Sequence, residues 1–190
     1  MKIVLASGSP RREELMRMLG FRDFEVHPAK GEEHPPLGKK PEEIVCALAS
    51  AKAEEVAALY GSDTLVIAAD TIVWLDGRLL GKPHSENEAR EMLGMLSGRE
   101  HEVFTGLSLI WQGIETCGAE RTLVRFRSLS SEEIDRYIAD REPMDKAGAY
   151  GAQGKGALFT ERIEGDFYNV MGLPVCRLGK MLAERGVSVL

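Results

Sequence analysis

The chain has 190 residues, 44% of them hydrophobic, enough to bury a sizeable core in one domain of two lobes or in two small domains. Its formal net charge of -6 argues against a general nucleic-acid binder, although a small anion can still bind where cations or a metal gather in one cleft. No stretch approaches the roughly 18 uninterrupted apolar residues of a membrane helix, a signal peptide is not expected, and the three scattered cysteines (Cys46, Cys117 and Cys176) fit a reducing cytosol better than a disulfide framework or a zinc site.

The first stretch reads as strand, turn and helix. Ile3, Val4 and Leu5 form a short apolar run, as in a strand covered on both faces. Gly8 permits a tight reversal, Ser9 suits an N-cap, and Pro10 suits the first helical position because its missing N–H needs no partner there. The helix is expected to bury Leu15, Met18 and Leu19 and to stop at Gly20. Free N–H groups and the positive dipole end then meet two hydroxyls and the guanidinium groups of Arg11 and Arg12, a combination that favours phosphate. The plainer reading is a capped helix with two solvated arginines.

Phe24 to His27 suggests a short strand, and the Gly and Pro content of residues 30–36 a loop. The next helix is expected from Pro41 to about Tyr60, with Ile44, Val45, Leu48, Val56 and Leu59 inward. Lys52 falls within that apolar face, where a lysine ordinarily snorkels its ammonium to the surface. Leu65 to Ala69 is the clearest buried strand, with Asp70-Thr71 at its C-terminal end, where ligands gather in open α/β sheets. The extended pattern continues through Ile72-Val73-Trp74, so no helix start there needs Asp70 as a cap.

Asp76-Gly77 reads as a two-residue hairpin turn whose return strand carries Leu79 and Leu80 to Gly81-Lys82-Pro83, bringing Lys82 back toward the level of Asp70 or beyond it. Ser85 to Glu88 is a capping box for a helix to about Leu96, with Ala89, Met92, Leu93 and Leu96 inward. Glu102 to Gln112 and Ile114 to Phe126 are two long strands around a tight turn, an antiparallel ribbon central to a mixed sheet. Ser130 to Glu133 is a second capping box, opening a helix with Ile134, Tyr137 and Ile138 inward.

Residues 146–156 are glycine-rich but match neither a Walker loop nor GxGxxG; Tyr150 and Gln153 are odd choices for a flexible linker. Leu158 to Ile163 suggests a short strand, Gly165 to Asn169 a turn, and Val175 to Arg185 a last helix closed by Gly186. Val187 to Leu190 is a candidate edge strand.

Six blocks, in order, resemble the Maf family of nucleoside triphosphate pyrophosphatases: residues 7–12 (Ser-Gly-Ser-Pro-Arg-Arg), 69–73 (Ala-Asp-Thr-Ile-Val), 81–83 (Gly-Lys-Pro), 97–106 (Ser-Gly-Arg-Glu-His-Glu-Val-Phe-Thr-Gly), 146–154 (Lys-Ala-Gly-Ala-Tyr-Gly-Ala-Gln-Gly) and 165–174 (Gly-Asp-Phe-Tyr-Asn-Val-Met-Gly-Leu-Pro). The resemblance implies one α/β domain over residues 1–190: an elongated mixed sheet with flanking helices and two lobes around a cleft, similar to inosine triphosphate pyrophosphatases. It implies a cytoplasmic homodimer that cleaves a nucleotide between its α and β phosphates with Mg²⁺ or Mn²⁺. Arg12, Thr71 and Gln153 resemble the dTTP/UTP branch. The alternatives are a pyrophosphatase for 7-methyl-GTP or another modified nucleotide, and a nucleotide-sensing regulator of septum formation.

On that reading Ser9, Arg11 and Arg12 hold phosphates, Thr71 and Gln153 face the base, and Lys52 and Lys82 balance charge on the leaving pyrophosphate. Glu33 and Asp70 are the metal ligands. Many members have an Asp-Glu pair in the loop after the second strand, and Glu32 here is one methylene longer than that Asp. The resemblance implies Asp70 as proton acceptor for the attacking water, while its carboxylate suits a metal equally well.

Overall fold

The structure is a computed structural model that describes residues 1–188. Its strands are β1 (Lys2–Leu5), β2 (Glu25–Val26), β3 (Thr64–Leu75), β4 (Arg78–Leu80), β5 (Glu100–Trp111), β6 (Ile114–Phe126) and β7 (Thr160–Glu164). The helices are α1 (Pro10–Met18), α2 (Pro41–Ala57), α3 (Glu86–Leu96), α4 (Ser131–Ala139), α5 (Phe167–Met171) and α6 (Val175–Glu184). Short 3-10 turns occupy Glu142–Asp145, Ala147–Ala149 and Lys155–Phe159. The strands form one mixed sheet in the order β2-β1-β3-β5-β6-β7, with β4 paired to β3 off that path. β1 runs parallel to β2 and β3, as its unbroken apolar run requires, with Val4 opposite Val66 and Leu5 opposite Ile67.

Two compact units divide the chain. One comprises Met1–Asp70, Thr105–Glu120 and the residues from Gly172 onward; the other comprises Thr71–Phe104 and Arg121–Met171. In the first, small side chains let helix and sheet approach closely: Val4, Ala6, Ala53, Val56, Val66 and Ala68 share a core. Gly106 on β5 faces the backbone of α2 so closely that a Cβ there would lie 2.2 Å from the Val45 carbonyl oxygen. In the second unit, Leu93, Leu96, Phe126, Ile138, Tyr150 and Phe159 are among the side chains of a larger core.

Several local expectations hold. The hairpin between β3 and β4 turns on Asp76 (φ 49°) and Gly77 (φ 80°), and that between β5 and β6 on Gln112 (φ 54°) and Gly113 (φ 73°), the left-handed pairs of a type I′ turn. At α4, the Ser130 hydroxyl accepts from Glu133 N (3.2 Å) while the Glu133 carboxylate accepts from Ser130 N (2.9 Å), a complete capping box. At α3 only half the box forms: Ser85 accepts from Glu88 N, but the Glu88 carboxylate accepts from His84 N instead of Ser85 N.

Others are corrected. α1 buries Leu15 and Met16, leaving Met18 52% exposed; its inward face is rotated from the one that the spacing of Leu15, Met18 and Leu19 predicted. α2 buries Ile44, Val45, Leu48 and Val56 as expected, with Ala49 and Ala53 beside them, but it stops at Ala57 and leaves Leu59 64% exposed. The expectation against a flexible linker at residues 146–156 holds, since Tyr150 is buried and 3-10 turns order both ends. The turn expected at Gly165 to Asn169 is largely helix, α5, which Asp166 starts by accepting from Tyr168 N (2.8 Å). Leu158 and Phe159 belong to a 3-10 turn, so β7 begins at Thr160. The last two positions of the edge strand expected over 187–190 lie outside the described residues.

His101 is buried in the second unit, with Nε2 and the Tyr150 hydroxyl 2.8 Å apart and its ring edge-on to Phe126. Burial pushes its pKa down to about 4. The unfolded chain protonates this imidazole near its ordinary pKa of about 6.5 while the native state resists until about 4, so the stabilisation is complete above the former and is lost as pH falls toward the latter. The expected loss over that window is on the order of 3 kcal/mol, and His101→Gln should flatten it; urea midpoints of both proteins at neutral and acid pH measure the difference. Gly106→Ala should cost about 1–3 kcal/mol through overpacking against α2, seen as a lower melting temperature.

Candidate active site

The turn after β1 is built by backbone bonds before any side chain acts. Ala6 N donates to Ile67 O (2.8 Å), prolonging the β1–β3 ladder, and Arg12 N and Glu13 N return to Ser9 O (3.1 and 3.2 Å) to start α1. Ser9 stands at the N-cap in extended conformation with Pro10 behind it, and its hydroxyl makes no capping bond. The N-terminus of α1 therefore presents a hydroxyl that the helix itself does not use.

Ser7, one of the two hydroxyls expected to favour phosphate here, organises this turn. Its buried hydroxyl accepts from Ser9 N (3.3 Å) and from an Arg12 guanidinium nitrogen (3.0 Å). Arg12 Nε donates to Gly172 O (2.7 Å). The guanidinium is thus held at two points. Burial lowers its pKa from the ordinary arginine value against the opposing pull of Asp70, yet arginine remains a cation. Arg11, half-buried, is close enough to add to that depression.

Lys52 does not snorkel. Its ammonium ion-pairs with Asp70 Oδ1 and with Glu33 Oε1, the latter at 2.8 Å. α2, the middle of β3 and the loop after β2 thereby bring Lys52, Asp70 and Glu33 to one point; Asp70 does not stand at the strand's C-terminal end as expected, because β3 runs on to Leu75 to pair with β4. Asp70 is only 5% exposed. Desolvation raises its carboxyl pKa and the Glu33 charge adds to the rise, while Lys52 and Arg12 oppose it. The acid at the centre of the cluster is therefore more basic than an ordinary aspartate.

Glu32 takes no part: its side chain is 89% exposed and lies 3.6 Å from His34. The loop is instead held by Glu55, whose carboxylate accepts from Lys30 N (2.7 Å) and Gly31 N (3.0 Å), and these bonds lower its pKa. Glu55 lies one helical turn beyond Lys52, so the same helix supplies the cation and the clamp for the loop that carries Glu33; that spacing is the sequence signal that could have revealed it.

Among the described residues no group of three or more His, Cys, Asp or Glu side chains is placed to share a metal ion. Glu33 and Asp70 do offer two carboxylate oxygens converging on one cation, here the Lys52 ammonium. That donor set fits a hard divalent ion that takes one or two carboxylates and completes its shell with water and phosphate oxygens.

Thr71, Lys82 and Gln153 belong to the other unit. Thr71 is half-buried on β3, while Lys82 and Gln153 are exposed. The β3–β4 ladder ends with Val73 opposite Leu80, so strand pairing does not carry Lys82 along β3. Gly148 N donates to Gly81 O (3.0 Å), which ties the glycine-rich segment to the residue preceding Lys82.

The profile of the Maf-like protein family matches residues 2–185. A Bacillus cereus (strain AH187) protein named dTTP/UTP pyrophosphatase is 49% identical over 188 residues, covering 99% of this chain and 97% of its own length. A Bacillus thuringiensis subsp. konkukian (strain 97-27) protein of the same name is 48% identical over the same 188 residues, covering 99% of this chain and 97% of its own. The solved structure of a HAM1 protein from Coxiella burnetii is similar in fold, with a TM-score of 0.55 at 18% identity, covering 97% of this chain and 99% of that one. With a family profile spanning nearly all of the described residues, the chain belongs to the Maf-like protein family.

Proposed function

We propose that residues 1–190 act as one functional domain that hydrolyses dTTP and UTP to the monophosphate and pyrophosphate. The observation that carries the chemistry is the buried Asp70 joined to Glu33 through Lys52, with the Arg12 cation close enough to act on it. Relatives at 48–49% identity named dTTP/UTP pyrophosphatase support the substrate.

A triphosphate carries about four negative charges, and water attacks it only when those charges are neutralised and the nucleophile is held in line. Ser9, Arg11 and the N-terminus of α1 receive phosphate oxygens, and Arg12, held by Ser7 and Gly172, supplies a preorganised positive charge. Asp70 takes the proton from the attacking water. Burial assists it, because a raised pKa brings the carboxylate nearer to what a base at neutral pH requires. Lys52 spends its charge on Asp70 and Glu33 and keeps both acids oriented; exposed Lys82 is the better candidate to meet charge on the departing pyrophosphate.

Glu33 and Asp70 would hold Mg²⁺ or Mn²⁺. A bound ion would neutralise phosphate charge and lower the pKa of a coordinated water. Thr71 and Gln153 contact the base, where an amide both donates and accepts, as a uracil or thymine edge requires. The resemblance supports a cytoplasmic homodimer acting on a small nucleotide without nucleic-acid or membrane partners. No helix among the described residues is long and apolar enough to cross a membrane.

Asp70→Asn should lower kcat on dTTP by about 10²-fold or more with metal present, measured as pyrophosphate release beside a melting curve that confirms folding. Near-wild-type turnover would remove Asp70 from the chemistry. Across a panel of natural and modified triphosphates, Gln153→Ala should narrow the preference for dTTP and UTP while leaving the requirement for Mg²⁺ unchanged. Equal losses on every nucleotide would show that Gln153 does not read the base.

A further inference from the structure

Gln153 stands at the exposed tip of a turn whose two feet meet. A Cβ on Gly156 would lie 2.3 Å from Gly151 O and 2.8 Å from the Tyr137 hydroxyl, so the ends of the turn touch each other and touch α4. Tyr137 lies on the buried face of α4, and its hydroxyl accepts from Gly151 N (3.1 Å) while donating to Glu142 Oε1 (3.0 Å). Glu142 in turn accepts from Lys155 N (3.1 Å) and Gly156 N (3.4 Å). One carboxylate and one phenol therefore hold backbone N–H groups on both sides of Gln153. Arg141, in the left-handed region at φ 59°, turns the chain out of α4 and directs Glu142 toward these groups. Burial and the Glu142 charge raise the Tyr137 pKa, keeping it a phenol that can donate and accept at once.

We propose that Glu142, with Tyr137, is a positioning residue for nucleobase selection: it clamps the 151–156 turn and so sets where Gln153 presents its amide. The proposal rests on the reading of Gln153 as the base contact. A turn this rich in glycine would otherwise sample many conformations, and each binding event would have to order it; a clamped turn meets the base already formed. Glu142 touches neither base nor phosphate in this scheme, so its removal weakens recognition and spares the chemical step.

The test is steady-state kinetics of the full chain with dTTP, UTP and dCTP, comparing wild type, Glu142→Gln, Tyr137→Phe, Gln153→Ala and the Glu142→Gln/Gln153→Ala double variant. Glu142→Gln should raise KM for dTTP and UTP by about tenfold with kcat within about twofold, and lower the dTTP-over-dCTP ratio of kcat/KM toward that of Gln153→Ala. In the Gln153→Ala background it should change that ratio no further, because the residue it positions is gone. Tyr137→Phe removes one hydroxyl from a buried ring and should shift the same ratio in the same direction, which keeps the test open if Glu142→Gln does not fold. Equal loss on all three nucleotides, or selectivity losses that add in the double variant, would overturn the clamp. A wild-type protein without preference for dTTP and UTP would instead overturn the substrate reading, and the clamp with it.

Discussion

The ammonium of Lys52 between Asp70 and Glu33 is the contact on which the first unit depends. A carboxylate only 5% exposed has lost most of its water, and an uncompensated charge there would be costly; a single cation shared by two acids offsets part of that cost. The arrangement asks for three separate placements. α2 must lie close to the sheet, which Gly106 permits by leaving room for the Val45 carbonyl. β3 must carry Asp70 in mid-strand, as the last residue of this stretch that belongs to the first unit. The loop after β2 must return toward α2, and Glu55 secures this by accepting two consecutive backbone N–H groups.

The same contact explains why Lys52 defeats the ordinary expectation for a lysine on an apolar helical face. Snorkelling is favoured when water is the best partner within reach of the stem. Here two carboxylates are nearer, and one of them is buried, so the ammonium gains more from ionic hydrogen bonds than from hydration. Arg12 shows a related trade. Ser7 and Gly172 take some of its donors, restricting the guanidinium while its positive charge still acts on Asp70. Cations restrained in this way are suited to polyphosphate, because little ordering remains to be done when the ligand arrives.

Much of this was legible from local pattern. β3, β5, β6 and the buried faces of α3 and α4 follow from periodicity, and both hairpin turns from residue type, because each depends on neighbours in sequence. Asp70 stood out as an acid following a buried apolar run, although β3 continues past it to Leu75. What stayed hidden was set by distant partners. Met16 is buried in place of Met18, Glu32 points away toward His34, and Glu88 caps His84, all differences of one or two residues or one methylene that periodicity does not resolve. Ser7 showed only as a hydroxyl beside two arginines and Glu55 only as a carboxylate one turn beyond Lys52; the backbone groups and the arginine they hold are brought near by folding.

The glycine-rich segment carries the broader physical point. Its composition reads as flexibility, since glycine gains most from disorder. In the structure its glycines mark close approaches: Gly148 leaves room for Val73, where a Cβ would fall 2.7 Å away, and Gly156 leaves room for Gly151 O. Tyr150 anchors one end in the core through His101, and Glu142 receives the other end. Glycine here is a consequence of tight packing around a short turn, and the turn is ordered by the bonds that the packing permits. The two units thus solve different problems by similar means. The first confines charge with an ion pair and backbone bonds; the second confines the turn around Gln153 with a carboxylate and a phenol, so that an exposed residue sits on an ordered backbone.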